Sequence, residues 1–355
     1  MDSFFLLTSL LKIIGILFVV ILPMVSYAVY AERRVSAFIQ DRLGPNRVGP
    51  AGLFQPLADM FKLLLKEDFT PESANTFYYW LAPCLAVMPA IITIAVVPFG
   101  STLFGVPMVI ADVNVGILFV FAIASLGVYG IVIGGWASNS KYPFLGGIRS
   151  SAQMLSYELS LGLAVVPVFL LAGSLRLTNV VRYQIEHGWF IAPFVGDSTN
   201  PWKWLLTIPM LISFLVFMIA MFAETNRLPF DLPEAEQELA GGYNVEYSSM
   251  KFALYFLGEY AAMITGSAVI VTLFFGGWHF PGIPDGSDGW VFGLINIAVF
   301  FAKVGIIIFI FMWVRWTLPR FRYDQLMRLG WLFFFEIALV NIFIVAAILH
   351  YTASL

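Results

Sequence analysis

Trp204-Leu-Leu-Thr-Ile-Pro-Met-Leu-Ile-Ser-Phe-Leu-Val-Phe-Met-Ile-Ala-Met-Phe-Ala223 runs for twenty residues without a charge. At ~1.5 Å per helical residue that length crosses a ~30 Å hydrocarbon core. It is followed at once by Glu224-Thr-Asn-Arg-Leu-Pro-Phe-Asp-Leu-Pro-Glu-Ala-Glu-Gln-Glu-Leu-Ala-Gly-Gly-Tyr-Asn-Val-Glu246, which packs six of the chain's 22 acids around a single Arg227. Apolar runs recur on both sides, at roughly Phe4–Tyr30, Phe77–Phe99, Val113–Ala137, Met154–Ala172, Phe252–Phe275, Val291–Val314 and Trp331–Tyr351. A chain that is 60% hydrophobic and 12% charged, with a mean hydropathy of +0.87, cannot hide so much apolar surface in a soluble fold. The expected architecture is therefore an all-α polytopic membrane protein with about eight transmembrane helices. No internal repeat or low-complexity linker divides it, so residues 1–355 read as one membrane domain. The N-terminal run is too long for a signal peptide and opens on Asp2, which makes it a first span.

Lys and Arg fix the orientation. Fourteen of them fall in the first, third, fifth and seventh loops, against only Arg176, Arg182 and Lys203 in the even ones. By the positive-inside rule the acidic Glu224–Glu246 segment then lies on the cytoplasmic side and both termini lie outside.

Composition also limits the chemistry. Cys84 is the only cysteine and lies in an apolar run, which excludes a disulfide framework and a self-contained iron–sulfur or cysteine-type zinc site. His187, His279 and His350 are scattered, so this chain alone is a poor haem ligand. No two glycines sit two residues apart, so the G-x-G start of a dinucleotide loop is absent. Any metal or nucleotide cofactor belongs to other chains. Nucleic acid is not an expected partner; the lipid bilayer is.

Two cytoplasmic features and a set of intramembrane charges remain. Leu57, Met60, Phe61, Leu64 and Leu65 fall at i, i+3, i+4, i+7 and i+8, with Asp59, Lys62 and Lys66 opposite, which predicts a short interfacial helix in the first cytoplasmic loop. Before it, Leu43-Gly-Pro-Asn-Arg-Val-Gly-Pro-Ala-Gly52 has the composition of a fixed turn that holds Arg33, Arg34 and Arg47 near the membrane surface, where simple anchoring by basic residues would also explain them. Ionisable residues inside spans are costly and are functional candidates by default. They are Lys12, Glu158, Glu259, Lys303 and Glu336, with Glu224 at a span end. Hydropathy places Glu158 and Glu336 about one turn from the inner edge, Glu259 roughly 10 Å deep and Lys303 near the midplane. Such a row of carboxylates could hold or pass protons; interhelical salt bridging, for example Glu259 with Lys303, is the plainer alternative. The Gly127, Gly130, Gly134 and Gly135 face of the third span points to close helix packing.

Three long motifs then carry a resemblance. Ala31-Glu-Arg-Arg-Val-Ser-Ala-Phe-Ile-Gln-Asp-Arg-Leu-Gly-Pro-Asn-Arg-Val-Gly-Pro50, the Glu224–Glu246 segment continuing into Tyr247, and Pro319-Arg-Phe-Arg-Tyr-Asp-Gln-Leu-Met327 together resemble the family of the ND-one-type (H-type) membrane subunit of NADH-quinone oxidoreductase, respiratory complex I. The resemblance covers essentially the whole chain. It implies a membrane subunit that joins the membrane arm to the peripheral arm and, with partner subunits, forms a chamber for quinone. Quinone is then the substrate, and FMN and iron–sulfur clusters are carried by partners. By position in the family motifs, Glu32, Arg33, Arg34, Asp59 and Phe230 would line the chamber and its entrance. Glu224, Asp231, Glu234, Glu236, Glu238 and Glu246 would form a coupling loop. Glu158, Glu259 and Lys303 would belong to an intramembrane charged axis, and Arg227, Arg315, Arg320, Arg322, Tyr323 and Asp324 to coupling or docking. The implied location is a bacterial inner membrane, with both termini periplasmic. A related complex with a ferredoxin or hydrogenase-type donor is an alternative, as is a secondary cation transporter, although the transporter would be expected to show an internal repeat or paired broken helices.

Overall fold

The structure is a computed structural model that describes residues 3–192, 201–233, 241–284, 286 and 289–353. Among the described residues eight helices are long and apolar enough to cross a membrane, and the only strands are a two-residue hairpin, Thr102–Leu103 with Val106–Pro107. The chain is an all-α polytopic membrane protein. The first span joins α1 (Ser3–Ile14) to α2 (Leu22–Ile39) through a π-helical stretch, Gly15–Ile21. The interfacial α3 (Gln55–Leu65) is followed by α4 (Thr76–Thr93), and the third span is made of α5 (Gly116–Ala124) and α6 (Leu126–Ala137). Then come α7 (Lys141–Ala172), α8 (Leu177–His187), α9 (Pro201–Glu224), α10 (Ser249–Phe274) and α11 (Trp290–Thr317). The last span runs from α12 (Tyr323–Arg328) through a π-helical Leu329–Phe334 into α13 (Phe335–Ala353).

Helix α10 is the pillar of the bundle. In its most apolar window 78% of residues are buried, against 22% in the first span and 17% in the last. Small residues make this possible, because lipid tails offer no hydrophobic drive and close backbone approach has to supply the dispersion. A Cβ on Gly258 would stand 3.0 Å from the Ala86 carbonyl oxygen, and one on Gly130 would stand 2.6 Å from the Ala86 nitrogen. Helix α4 is thus clamped between α6 and α10. A Cβ on Gly134 would collide with the Tyr255 hydroxyl, and one on Gly135 with the Pro143 carbonyl. Gly127 differs, since a Cβ there meets nothing within 4 Å and the residue lines an internal cavity.

Three boundaries depart from the apolar runs. The first helix continues to Ile39, so Glu32, Arg33 and Arg34 ride on α2 and are not loop residues. Helix α7 of the fourth span begins at Lys141, well before the apolar run, and Glu158 lies roughly 25 Å along it at ~1.5 Å per residue. The last span begins at Tyr323. The physical cause is common to all three: hydropathy ends a helix where charge appears, whereas the hydrogen-bond ladder continues beyond the apolar zone. The apolar runs give no sign of helix α8. Its buried Leu177, Val180, Val181 and Gln184 fall at i, i+3, i+4 and i+7, and Gln184 Nε2 donates to the Thr272 and Leu273 carbonyls at 3.0 and 3.2 Å, closing the end of α10.

Candidate functional site: a buried ion cluster beside a carboxylate cavity

Residues 225–233, between α9 and the acidic segment, turn back into the protein. Asn226 takes a left-handed conformation (φ 48°), and the Arg227 amide donates to the Phe222 carbonyl at 3.1 Å, which ends the helix. Gln153 of α7, fully buried, then pins the segment: its Nε2 lies within hydrogen-bond distance of the Ala223 carbonyl (3.0 Å), Asn226 Oδ1 (3.2 Å) and the Phe230 carbonyl (2.9 Å). The Phe321 amide adds a bond to the Pro229 carbonyl at 3.1 Å. This anchoring drives Arg227 into the interior.

There Arg227 meets Glu32, which belongs to the inward stripe of α2 with Val25, Ala28 and Ser36. Arg227 Nη1 donates to Glu32 Oε2 at 3.1 Å, the Tyr260 hydroxyl donates to the same oxygen at 2.7 Å, and Arg315 Nη1 of α11 donates to Glu32 Oε1 at 2.6 Å. Arg227 Nε is ion-paired with Glu259 of α10, and its guanidinium lies over the Tyr260 ring, 4.1 Å from the centroid. Two carboxylates and two guanidiniums make the cluster neutral when all four are ionised. It needs to be, because the side chains of Arg227, Glu32 and Glu259 are only 3%, 7% and 8% exposed. Burial acts against the Arg227 charge, but Glu259 and Glu32 outweigh it and keep this arginine's pKa well above its ordinary value.

Glu259 also faces the other way. With Glu158 and Glu224 it lines a cavity of about 120 Å³ of water-accessible space between α4, α5, α6, α7, α9 and α10. Thr93, Thr265, Asn226 and Tyr255 add polar atoms to walls that are otherwise apolar. A water needs ~10–15 Å³ by this measure and two to four polar partners, so the cavity has room and partners for a short water chain. Glu158 and Glu224 make no hydrogen bond or ion pair among the described residues, and Glu158 lies close enough for its charge to act on Glu224. Three carboxylates on a small, mainly apolar cavity, one of them tied to a buried ion cluster, can hold and exchange protons.

The other expected site residues sort by place. Lys303 is not among the carboxylates. Its Nζ donates to the carbonyls of Phe275 (2.8 Å), Gly277 (2.9 Å) and His279 (2.6 Å) and lies 4.1 Å from the centroid of the Trp189 ring, so it caps the C-terminal end of α10. Glu336 points away from the bundle. Arg33 pairs with Asp59 at 2.6 Å on the exposed flank of α2 and α3, where Gln55 also donates to Asp59 at 3.0 Å. Arg34 donates to the Tyr30 hydroxyl and the Ala51 carbonyl, both at 3.1 Å, so the Gly- and Pro-rich turn does fix it. The interfacial helix lies where its apolar stripe puts it, with Leu57, Met60, Phe61, Leu64 and Leu65 all exposed. Phe230 is buried and packs edgewise on Tyr157 and at a tilt on Phe321, at 5.2 and 5.6 Å between ring centroids. Asp231, Arg315 and Arg320 share a polar recess with Leu228 and Trp316. Arg322, Tyr323 and Asp324 are exposed at the start of α12. Glu246 is half-buried, and its carbonyl accepts from the Tyr79 hydroxyl at 2.5 Å beside the stacked rings of Tyr79 and Tyr247. Burial pushes the Tyr247 hydroxyl up to about 12. Glu234, Glu236 and Glu238 lie outside the described residues.

Two parts of this site have almost no signature in the sequence. Gln153 sits in the polar Arg149-Ser-Ser-Ala-Gln153 stretch just before the Met154–Ala172 run, and neither it nor Tyr260 carries a motif of its own.

Residues 11–346 match the model of the family described as NADH dehydrogenase. The chain is 49% identical over 340 residues to the first H-type subunit of the NADH-quinone oxidoreductase of Geobacter metallireducens, covering 95% of each chain. It is 50% identical over 345 residues to the H-type NADH-quinone oxidoreductase subunit of Rickettsia prowazekii, covering 97% of this chain and 94% of that one. With the family model spanning residues 11–346 and half of the residues identical across nearly the whole chain, the chain belongs to the family of the H-type membrane subunit of NADH-quinone oxidoreductase.

Proposed function

We propose that this chain is the membrane subunit in which quinone reduction is converted into proton movement. Partner subunits, carrying the flavin and iron–sulfur clusters, deliver two electrons to quinone, which takes up two protons to become quinol. In this reading the surface of α2 and α3, with Arg33, Arg34 and Asp59, and the recess beside Asp231, Arg315 and Arg320 form this chain's share of the quinone chamber. The amphipathic α3 suits a ligand with an apolar tail and a polar head. The chain acts as one membrane domain in an inner membrane, with both termini outside.

One observation carries the proposal: Glu259 belongs to the ion cluster and to the cavity at once. A change of charge or hydration near Glu32 and Arg315 alters how strongly Arg227 holds Glu259. A Glu259 released from Arg227 takes a proton more readily from the cavity, and one recaptured gives it back. Glu158 and Glu224 extend the path along the cavity wall, and the acidic loop, including Glu234, Glu236, Glu238 and Glu246, conditions its cytoplasmic end. Lys303 would serve the proton axis only indirectly, by holding the outer end of α10.

The test is Glu259→Gln in the assembled complex in sealed vesicles. It should leave NADH oxidation with an artificial acceptor upstream of quinone at the wild-type rate and remove most quinone-linked proton pumping. Wild-type pumping per quinone reduced would remove Glu259 from the path.

A further inference from the structure

Of the ionisable residues that hydropathy places inside spans, all but one have a partner or line the internal carboxylate cavity. Lys12 Nζ donates to the Val109 carbonyl at 3.0 Å, Lys303 has three carbonyls, Glu259 is in the ion cluster, and Glu158 and Glu224 line the cavity. Glu336 has none among the described residues. The last span packs on the bundle through a narrow inner face, where Ala338, Asn341 and Val345 are buried and Asn341 Nδ2 donates to the Pro209 carbonyl and Ser213 Oγ of α9, at 3.0 and 2.9 Å. Glu336 stands on the opposite stripe. Leu332 at i−4, Phe333 at i−3, Val340 at i+4 and Phe343 at i+7 flank it, and they are 53%, 49%, 56% and 67% exposed. The nearest charged residue on the same helical unit is Arg328, more than two turns away, and no Asp, Glu, Lys or Arg follows Glu336 to the C-terminus.

We propose that this face of α13 is the docking surface for a transmembrane helix of another subunit, one that brings a lysine or arginine to the depth of Glu336. Bare lipid would satisfy the apolar stripe but leave the carboxylate without a partner, and a basic side chain on a covering helix satisfies both. The last span is also the least buried of the eight, so it has the most surface left to cover. The inference rests on this chain being one subunit of a larger membrane complex, a premise that fails separately if no other subunit co-purifies with the wild-type chain.

The experiment uses the whole complex in native membranes. A photo-activated cross-linking residue in place of Val340 should join this chain to one membrane subunit, identified by mass spectrometry, that carries a basic residue within a span. Glu336 should resist the lipid-soluble reagent dicyclohexylcarbodiimide in the complex and react when the chain is produced without its partners. Glu336→Lys should lower the yield of assembled complex about tenfold or more, as like charges meet, and an acid in place of the partner's basic residue should restore it. Cross-links to lipid alone, equal carbodiimide labelling in both states, or normal assembly of Glu336→Lys would each overturn the proposal. The first two would mean that a protonated Glu336 faces lipid.

Discussion

Arg227 bridges Glu32 and Glu259, so its replacement exposes what the cluster does. Arg227→Gln leaves two carboxylates in the interior with Arg315 alone, which costs about 3–5 kcal/mol on the usual scale for breaking a buried pair. A sharp fall in the thermal stability or yield of the complex is the expected outcome. Arg227→Lys keeps the charge but loses the fork that spans two carboxylates, so the complex should assemble while quinone-linked pumping falls. Equal pumping in the lysine variant would show that charge alone suffices. Lys303→Ala makes a different prediction. It leaves three carbonyls near the end of α10 without their donor, at about 1–3 kcal/mol of lost stability. The melting temperature should fall while pumping by the complexes that do assemble stays near normal. Lost pumping in a stable, fully assembled Lys303→Ala complex would place this lysine on the proton path after all.

At the scale of elements, the proposed function divides between α3 and α10. Helix α3 has no buried residue and its Arg33–Asp59 pair is exposed, so Asp59→Ala should cost no more than about 1 kcal/mol of stability. If this flank guides quinone, the variant's KM for quinone should rise several-fold with little change in melting temperature; unchanged quinone kinetics would make the pair a surface contact only. How far these elements can be read in advance follows from their physics. The stripe of Leu57, Met60, Phe61, Leu64 and Leu65 faces one solvent and its polar side another, so periodicity alone locates α3. The glycines of α6 likewise announce close packing, and Ala86 and Tyr255 are what they pack against. The partners of Glu259 cannot be read in the same way. Its pairing with Arg227 depends on a chain reversal held by Gln153, and nothing local in the sequence records that a buried amide on α7 binds backbone carbonyls at least seventy residues away. Pairing by depth alone suggests Lys303, which the fold assigns to carbonyls instead.

The molecule as a whole is a bundle with two differently built ends. One end carries the ion cluster, the exposed flank of α2 and α3 and most of the basic residues. The other end carries α8 and the short hairpin, with Lys303 holding the carbonyls just past the end of α10. We propose that this first end faces the cytoplasm, on the count of fourteen basic loop residues against three. In a Cys84→Ser background, a cysteine replacing the exposed Phe104 should react with impermeant reagent from outside the cell, and one replacing Leu43 only in inverted vesicles. The opposite pattern would turn the bundle over and put the cluster on the wrong side for a cytoplasmic electron donor. The central claim, that Glu259 changes its protonation as quinone is reduced, has a direct spectroscopic reading. Infrared difference spectra of the assembled complex, taken between its oxidised and quinol-forming states, should contain a carboxyl C=O band that shifts in heavy water and disappears in Glu259→Gln. A spectrum identical in wild type and Glu259→Gln, recorded while both reduce quinone, would contradict the account.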